Sequence, residues 1–130
     1  MNDFWTSWQP KILSVLRFIT GFLFLWHGSQ KLFNFPPSAQ PGDASAFMIF
    51  TGILEFGGGL FILVGLFTRW TAFILSGMMA VAYFMVHGTG AFLPVVNKGE
   101  LAVVYCFVFL YFFFAGGGEW SLDNLLKKKV

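Results

Sequence analysis

The sequence predicts an all-α fold, a polytopic integral membrane protein built as a bundle of four transmembrane helices with both termini in the cytoplasm. Its 130 residues are 57% hydrophobic and only 11% charged, whereas about 25% of an ordinary soluble domain is charged. The chain also holds 19 phenylalanines and 5 tryptophans. A domain of this size leaves about a third of its unfolded surface exposed, so lipid is the expected surroundings of these side chains.

Charge and cysteine content exclude several classes of function. The net charge of +2 comes largely from the lysines at 127–129, which indicate a tail facing the membrane, and no nucleic acid partner is expected. Cys106 stands alone, so this chain cannot form an internal disulfide or supply dithiol redox chemistry by itself. The first apolar segment contains Arg17, His27 and Lys31. We therefore expect a retained helix and not a cleaved signal peptide.

The apolar runs and their breakers predict the elements of one domain over residues 1–130. Phe4, Trp5 and Trp8 lie on one helical face before Pro10, and tryptophans of this kind prefer the headgroup level. A stretch of 23 residues after Pro10 would be roughly 34 Å long, enough to cross a bilayer core of about 30 Å. The expected elements are an interfacial segment at 2–9, helices at 11–33, 46–67, 70–86 and 100–115, and an amphipathic tail at 119–130.

The orientation follows from the basic residues. Lys11, Arg69 and the lysines at 127–129 fall on one side of the expected spans, and Lys31 and Lys98 fall on the other. The positive-inside rule places the more basic side, which holds both termini, in the cytoplasm.

Ionisable side chains inside the spans are the candidate functional residues, because each costs several kcal/mol near the bilayer centre. They are Arg17, His27, Glu55 and His87. On the first helix, a spacing of three and four residues places one set on a stripe that should face the bundle, namely Arg17, Gly21, Phe24, Gly28 and Lys31.

The next two expected helices have comparable faces. Gly52 and Gly59 flank Glu55 at helical spacing, so a small-residue face should let another helix approach the carboxylate closely. The run at 57–59 is therefore interpreted as a packing feature and not as a phosphate loop, which would need a lysine and serine partner. The expected inward face of the third helix consists of Gly77, Ala80, Phe84 and His87.

Depth suggests how these groups pair. At 1.5 Å per residue, His27 would lie roughly 9 Å and Glu55 roughly 14 Å from the outer helix ends, against roughly 24 Å for Arg17. His27 is therefore the expected partner of Glu55, with Arg17 second. Lys31, His87 and Glu100 would lie near the outer rim.

Structural explanations stand beside the functional ones. Arg17 could snorkel to the headgroups, and Glu55 is as well explained by a structural ion pair as by catalysis. His27 and His87 could in principle bracket a haem, or join Glu55 around a metal ion. Both are less favoured, because His87 lies too shallow for an axial ligand and the three residues lack a recognised ligand spacing.

Read together, several short motifs resemble the DoxX family of four-helix membrane proteins. They are Leu16-Arg17 with Gly21, His27-Gly28, Lys31-Leu32-Phe33, Leu54 to Gly58, Gly65 to Arg69, Val86-His87 and Trp120 to Asp123. The resemblance covers almost the whole chain. The Gly-Pro-Gly usual before the terminal motif is Gly116-Gly117-Gly118 here, and Glu119 stands where a basic residue is common.

The resemblance implies a function. The family is similar to the quinone-reducing subunit of thiosulfate:quinone oxidoreductase, and other members are described as membrane partners of oxidoreductases. It implies a multi-pass protein of a bacterial or archaeal inner membrane, a quinone as ligand and an oxidoreductase or other membrane complex as partner; a second copy of the chain is a further candidate. Glu55 and His27 would be catalytic, and Arg17, Lys31 and His87 would bind the quinone. A non-catalytic scaffold subunit is the alternative.

Overall fold

The computed structural model describes residues 3–38, 45–88 and 90–129, and within them all regular structure is helical. The helices are α1 (Phe4–Phe33), α2 (Ala46–Val64), α3 (Thr68–Ala82), a π-helical turn (Tyr83–His87) that continues α3, α4 (Pro94–Asn97), α5 (Glu100–Ala115) and α6 (Leu122–Lys129). The all-α expectation is confirmed for these residues. Parts of the expected interfacial segment, of both long loops and of the tail, at 2, 39–44, 89 and 130, lie outside them.

Three helices in the described ranges are long and apolar enough to cross a membrane: Phe4–Phe33, Ala46–Val64 and Thr68–His87. The fourth expected span coincides with α5, whose 16 residues are about 24 Å long, below a bilayer core of about 30 Å. A fourth crossing thus stays a prediction.

The first helix begins seven residues earlier than expected, because Pro10 does not start it. Asp3 is the N-cap, and its carboxylate accepts the N–H of Thr6 at 2.9 Å. Proline has no N–H to donate to the preceding turn, yet the helix continues through it. The carbonyl of Pro10 accepts the Ser14 hydroxyl at 3.0 Å and the N–H of Glu119 at 3.1 Å. The expected separate segment at 2–9 is therefore wrong, because residues from Phe4 onward belong to α1. Its location at the membrane surface stays a prediction.

The second helix ends at Val64, three residues before the expected end. Gly65 has φ +73° and donates its N–H to the carbonyls of Phe61 and Ile62. This left-handed C-cap suits glycine, which lacks the Cβ that disfavours the conformation. The turn thus lies at residues 65–67, and Thr68, placed in the turn by the sequence, is already helical.

The described chain divides into two compact units, Met1–Thr68 with Gly117–Val130, and Arg69–Gly116. In the first unit α1 and α2 form a close pair that rests on glycine. A Cβ on Gly21 would lie 2.5 Å from the backbone nitrogen of Leu63, and one on Gly28 would lie 2.4 Å from that of Phe56. Gly59 in turn faces Leu25. The expected glycine faces of both helices are therefore confirmed.

Not every glycine serves this purpose. A Cβ on Gly57 would meet nothing within 4 Å. Within the run at 57–59, close packing is thus shown for Gly59 and is wrong for Gly57.

In the second unit, α3 buries a different face from the expected one. Its buried residues are Ala72, Leu75, Ser76, Met79 and, in the π turn, Tyr83. A Cβ on Gly77 would meet nothing within 4 Å, and Phe84 is 64% exposed. The expected inward face through Gly77 and Phe84 is wrong, because the glycine that suggested it is not at a close contact.

A side chain from the tail completes the start of α3. The Asp123 carboxylate accepts the backbone N–H of Phe67 at 2.7 Å and that of Thr68 at 2.8 Å, so it satisfies donors that a helix start leaves without partners.

We expect Asp123→Ala to lower the free energy of unfolding by about 1 to 2 kcal/mol, the loss typical of a capping side chain. The measurement is reversible unfolding in mixed detergent micelles. Lys127→Ala is the control at an exposed position of the same helix, and a loss no larger than that of the control would contradict the capping role.

Candidate functional site

The buried carboxylate of unit 1 is paired with a lysine. Lys31, in the last turn of α1, places its Nζ 2.8 Å from Oε1 of Glu55 on α2. The side chain of Glu55 is 7% exposed and that of Lys31 27% exposed. Glu55 is thus strongly desolvated while Lys31 is only partly so, and good geometry is needed for the pair to compensate for the lost hydration of the carboxylate.

Two small residues of α2 shape the path of the lysine. The Lys31 ammonium also donates to the hydroxyl of Thr51 at 3.4 Å, and Thr51 in turn donates to the carbonyl of Met48 at 3.1 Å. A Cβ on Gly52 would lie 3.1 Å from the Lys31 Cβ. Gly52 therefore lets the stem of Lys31 run along α2 toward the carboxylate one turn away.

The second carboxylate oxygen of Glu55 is the most unusual polar atom of this unit. Oε2 is buried and has no hydrogen-bond partner among the residues that the structure describes. A buried oxygen left in this state costs about 1 to 3 kcal/mol, and more where it carries charge. It is therefore a buried acceptor that accepts no hydrogen bond from the described residues.

The pairing differs from the one that depth suggested. His27 is exposed on α1, with its ring centroid 6.4 Å from that of Phe24. The carboxylate that depth assigned to His27 is paired with Lys31. Lys31 starts from a shallower level and reaches inward on its long stem, whereas His27 lies about 100° around the helix axis from Gly28 by the helical repeat.

Arg17 is buried and serves the backbone. It is 2% exposed and donates to four carbonyls, those of Ile62 and Leu63 at 2.7 and 2.6 Å and those of Gly117 and Trp120 at 2.7 Å each. The first two belong to the last turn of α2, where carbonyls lack partners within the helix. The snorkelling alternative is wrong, because all but one of the guanidinium N–H groups are engaged inside the protein.

The terminal motif explains the other half of this network. The N–H of Trp120 donates to the Ser14 hydroxyl at 2.8 Å, one turn from Arg17 on α1. A Cβ on Gly118 would lie 2.3 Å from that hydroxyl oxygen. The tail thus packs directly against α1. Sequence reasoning missed Ser14, and it placed Asp123 in the terminal motif without its capping role, because the partners of both are distant backbone groups.

His87 lies in the second unit, at the end of the π turn. Its Nδ1 is 3.2 Å from the carbonyl oxygen of Asn97. The side-chain amide of Asn97 donates to the hydroxyl of Tyr83 at 3.0 Å and to the carbonyl of Ala91 at 2.9 Å. Tyr83 was missed although it lies one turn before His87, because a tyrosine in an aromatic-rich span has no distinguishing pattern.

The same unit contains an apolar cavity of about 320 Å³. Its walls come from α3, the π turn, the loop before α4, α4 and α5, and include Met79, Tyr83, Phe92 and Cys106. The lining holds no carboxylate, histidine or cation, so it suits a hydrocarbon group. Among the described residues, no group of three or more His, Cys, Asp or Glu side chains could hold a metal ion.

Comparison with known proteins decides the family. The DoxX family model matches residues 12–88, more than half of the chain. The matched stretch contains Arg17, Lys31 and Glu55. The chain belongs to the DoxX family.

Relatives of this DoxX protein cover nearly its whole length. It is 41% identical over 129 residues to an uncharacterized protein of Haemophilus influenzae, a match that covers 95% of this chain and 96% of the relative. It is 33% identical over 123 residues to the inner membrane protein YqjF of Escherichia coli, covering 88% and 92%. An uncharacterized membrane protein of Mycobacterium tuberculosis, Rv3486, is 29% identical over 141 residues, covering 93% and 85%. No solved structure gives a significant match.

These relatives and the apolar helices together locate the protein. It is a multi-pass protein of the inner membrane, and its surroundings are lipid. The predicted family and localisation are thereby confirmed.

The DoxX protein's ion pair is open to a direct test of stability. Lys31→Met should lower the free energy of unfolding by about 3 kcal/mol at neutral pH, because it leaves Glu55 buried without its cation. Adding Glu55→Gln should restore part of the loss, since the uncompensated charge is then removed. A double-mutant cycle in detergent micelles measures the coupling. Equal and additive losses from the two changes would contradict the pairing.

Proposed function

We propose that this chain is the membrane subunit of a quinone-linked redox system, with the quinone ring bound at the Lys31–Glu55 pair. The observation that supports the proposal is the buried Oε2 of Glu55, which has no hydrogen-bond partner among the described residues. The other oxygen, Oε1, is already paired with Lys31. The fit is chemical: Lys31 keeps an N–H able to donate to a quinone carbonyl, and the carboxyl group can exchange a proton with the nearby ring oxygen. His27, exposed on the same helix, is proposed to assist at the carbonyl.

The redox step needs a partner. Reduction of a quinone to a quinol takes two electrons and two protons. This chain has one cysteine and no flavin motif, so an electron-donating partner protein supplies the electrons and is itself oxidised. Glu55, ionised beside Lys31, takes up one proton from water at the membrane surface and passes it to the reduced quinone oxygen. The second proton also comes from water at the membrane surface.

The first experiment is extraction of quinone from the purified protein, followed by titration with a quinone analogue. We expect co-purified quinone and saturable binding, and at least a tenfold loss of affinity for Lys31→Met, the cost of a hydrogen bond from a charged donor. The matched control is Lys98→Met, which replaces an exposed lysine of the second unit. This variant should bind the analogue with unchanged affinity. Absence of bound quinone and of analogue binding would contradict the proposal.

A scaffold subunit is the second candidate, and Arg17 favours it. That side chain shows how a buried charge of this protein can act wholly in holding helices and tail together. The Glu55→Gln variant separates the two functions. If it abolishes co-purification of a partner protein while quinone reduction by the parent membranes is intact, the scaffold function is correct. If quinone reduction falls while the complex still forms, the redox function is correct.

The proposed architecture has four crossings with both termini in the cytoplasm. The basic side chains Lys11, Arg69, Lys127 and Lys128 support this orientation, and α5, although short, is as apolar as a span. We expect reporter fusions at the C-terminus to be active only with a cytoplasmic reporter, and a fusion at Lys98 only with a periplasmic one. The reverse pattern would contradict the orientation.

A further inference from the structure

The start of α1 and the tail meet at one end of unit 1. The N–H of Glu119 donates to the carbonyl of Pro10, and that of Trp120 to the Ser14 hydroxyl. The tail helix α6 then continues from Asp123, whose carboxylate is held by the N–H groups at the start of α3. The position of α6 is thus set by hydrogen bonds to the ends of the spans.

This end exposes large amphipathic and apolar side chains. Trp5 is 72%, Trp8 41% and Trp120 55% exposed, and Leu125 and Leu126 are 49% and 50% exposed. Tryptophan prefers the headgroup level of a bilayer. Leucines at this exposure are left largely uncovered by the residues that the structure describes.

Cations lie among these side chains. Lys11 holds its ammonium 4.9 Å from the ring centroid of Trp8, and Lys127 and Lys128 are exposed on α6. Of the neighbouring carboxylates, Asp3 and Asp123 both accept backbone N–H groups. We call Trp8, Lys11, Trp120, Leu126, Lys127 and Lys128 the basic terminal surface.

The geometry points to anionic phospholipid headgroups as the partner of the basic terminal surface. The 30 residues of α1 extend about 45 Å, roughly 15 Å more than the hydrocarbon core. Its first turns, and the tail bonded to them, therefore reach the headgroup layer. Exposed tryptophans and lysines of α1 and the tail, with the exposed leucines of α6, are what an anionic bilayer surface binds, through apolar burial and phosphate contacts together. This inference does not depend on the proposed redox function.

The test places a nitroxide on the surface of the full-length protein. Leu126→Cys is labelled on a Cys106→Ser background and reconstituted into nanodiscs of zwitterionic lipid, with or without phosphatidylglycerol. The collision rate of the label with oxygen is compared with its collision rate with a water-soluble nickel chelate. This comparison gives the ratio of membrane-bound to water-exposed label. We expect the bound form to dominate only with phosphatidylglycerol. Lys127→Gln and Lys128→Gln should each lower the ratio roughly fivefold, and added salt should do the same.

Lys98→Gln is the matched control, since it removes one positive charge from the other unit. It should leave the ratio unchanged. Equal ratios in both lipids, a label that stays in water in both, or a loss from Lys98→Gln as large as that from Lys128→Gln would each overturn the inference. A label immobilised only when a second protein is present would also overturn it, because the occupant would then be a protein.

Discussion

Arg17→Met is expected to lower the free energy of unfolding by about 3 to 5 kcal/mol, the loss associated with breaking a buried charged network. The substitution keeps an apolar stem of similar length but leaves the carbonyls of Ile62, Leu63, Gly117 and Trp120 without their donor. Each buried carbonyl left unpaired costs about 1 to 3 kcal/mol. Titration of unfolding in mixed micelles, followed by far-UV circular dichroism, measures the effect.

Arg69→Met is the control that separates burial from hydrogen bonding. Arg69 also donates to carbonyls at the end of a helix, those of Phe113 and Phe114 at 3.1 and 2.6 Å, but it is exposed. Water can replace it there, so a loss of about 1 kcal/mol is expected. Comparable losses of unfolding free energy for the two variants would contradict the view that the buried hydrogen bonds of Arg17 hold α2 and the tail together.

Gly28→Ala is expected to destabilise the α1 and α2 pair by about 3 kcal/mol or more, as overpacking of a rigid contact does. The added Cβ would lie 2.4 Å from the Phe56 nitrogen and 2.6 Å from the Gly52 carbonyl oxygen. Both are backbone atoms, so the helices must separate, and the reach of Lys31 to Glu55 lengthens. The same unfolding titration measures the loss.

The matched control is Gly57→Ala on the facing helix. Its Cβ would meet nothing within 4 Å, and alanine is favoured over glycine in a helix by about 1 kcal/mol. A small gain in stability is therefore expected. If Gly57→Ala cost as much as Gly28→Ala, the loss would reflect helix glycine in general and not the close approach at Gly28.

The sequence was informative where a pattern repeats along one helix. The stripe through Arg17, Gly21 and Gly28, and the glycines around Glu55, followed from helical spacing and correspond to real close contacts. The ends of the helices were harder to predict from the sequence. The early start of α1 depends on a distant N–H donor for the Pro10 carbonyl, and such a donor leaves no local signal.

Side-chain reach limited the prediction of the site. Depth along a helix axis favoured His27 as the partner of Glu55, yet the long stem of Lys31 bridges the difference in level, aided by Gly52. Gly77 misled the assignment of the α3 face for a related reason, since a glycine in a span can mark a close contact or none. Thr51 could have been found, because it lies one turn before Glu55 on the same face.

The most direct test of the central claim is an infrared difference spectrum of the protein with and without a bound quinone analogue. We expect a shift of a carboxylate stretching band as Oε2 of Glu55, which has no hydrogen-bond partner among the described residues, gains a hydrogen-bonding neighbour. That band should be lost in Glu55→Gln and retained in Glu100→Gln, a control at an exposed carboxylate. Analogue binding without any Glu55-dependent carboxylate band would contradict the claim that this carboxylate contacts the quinone.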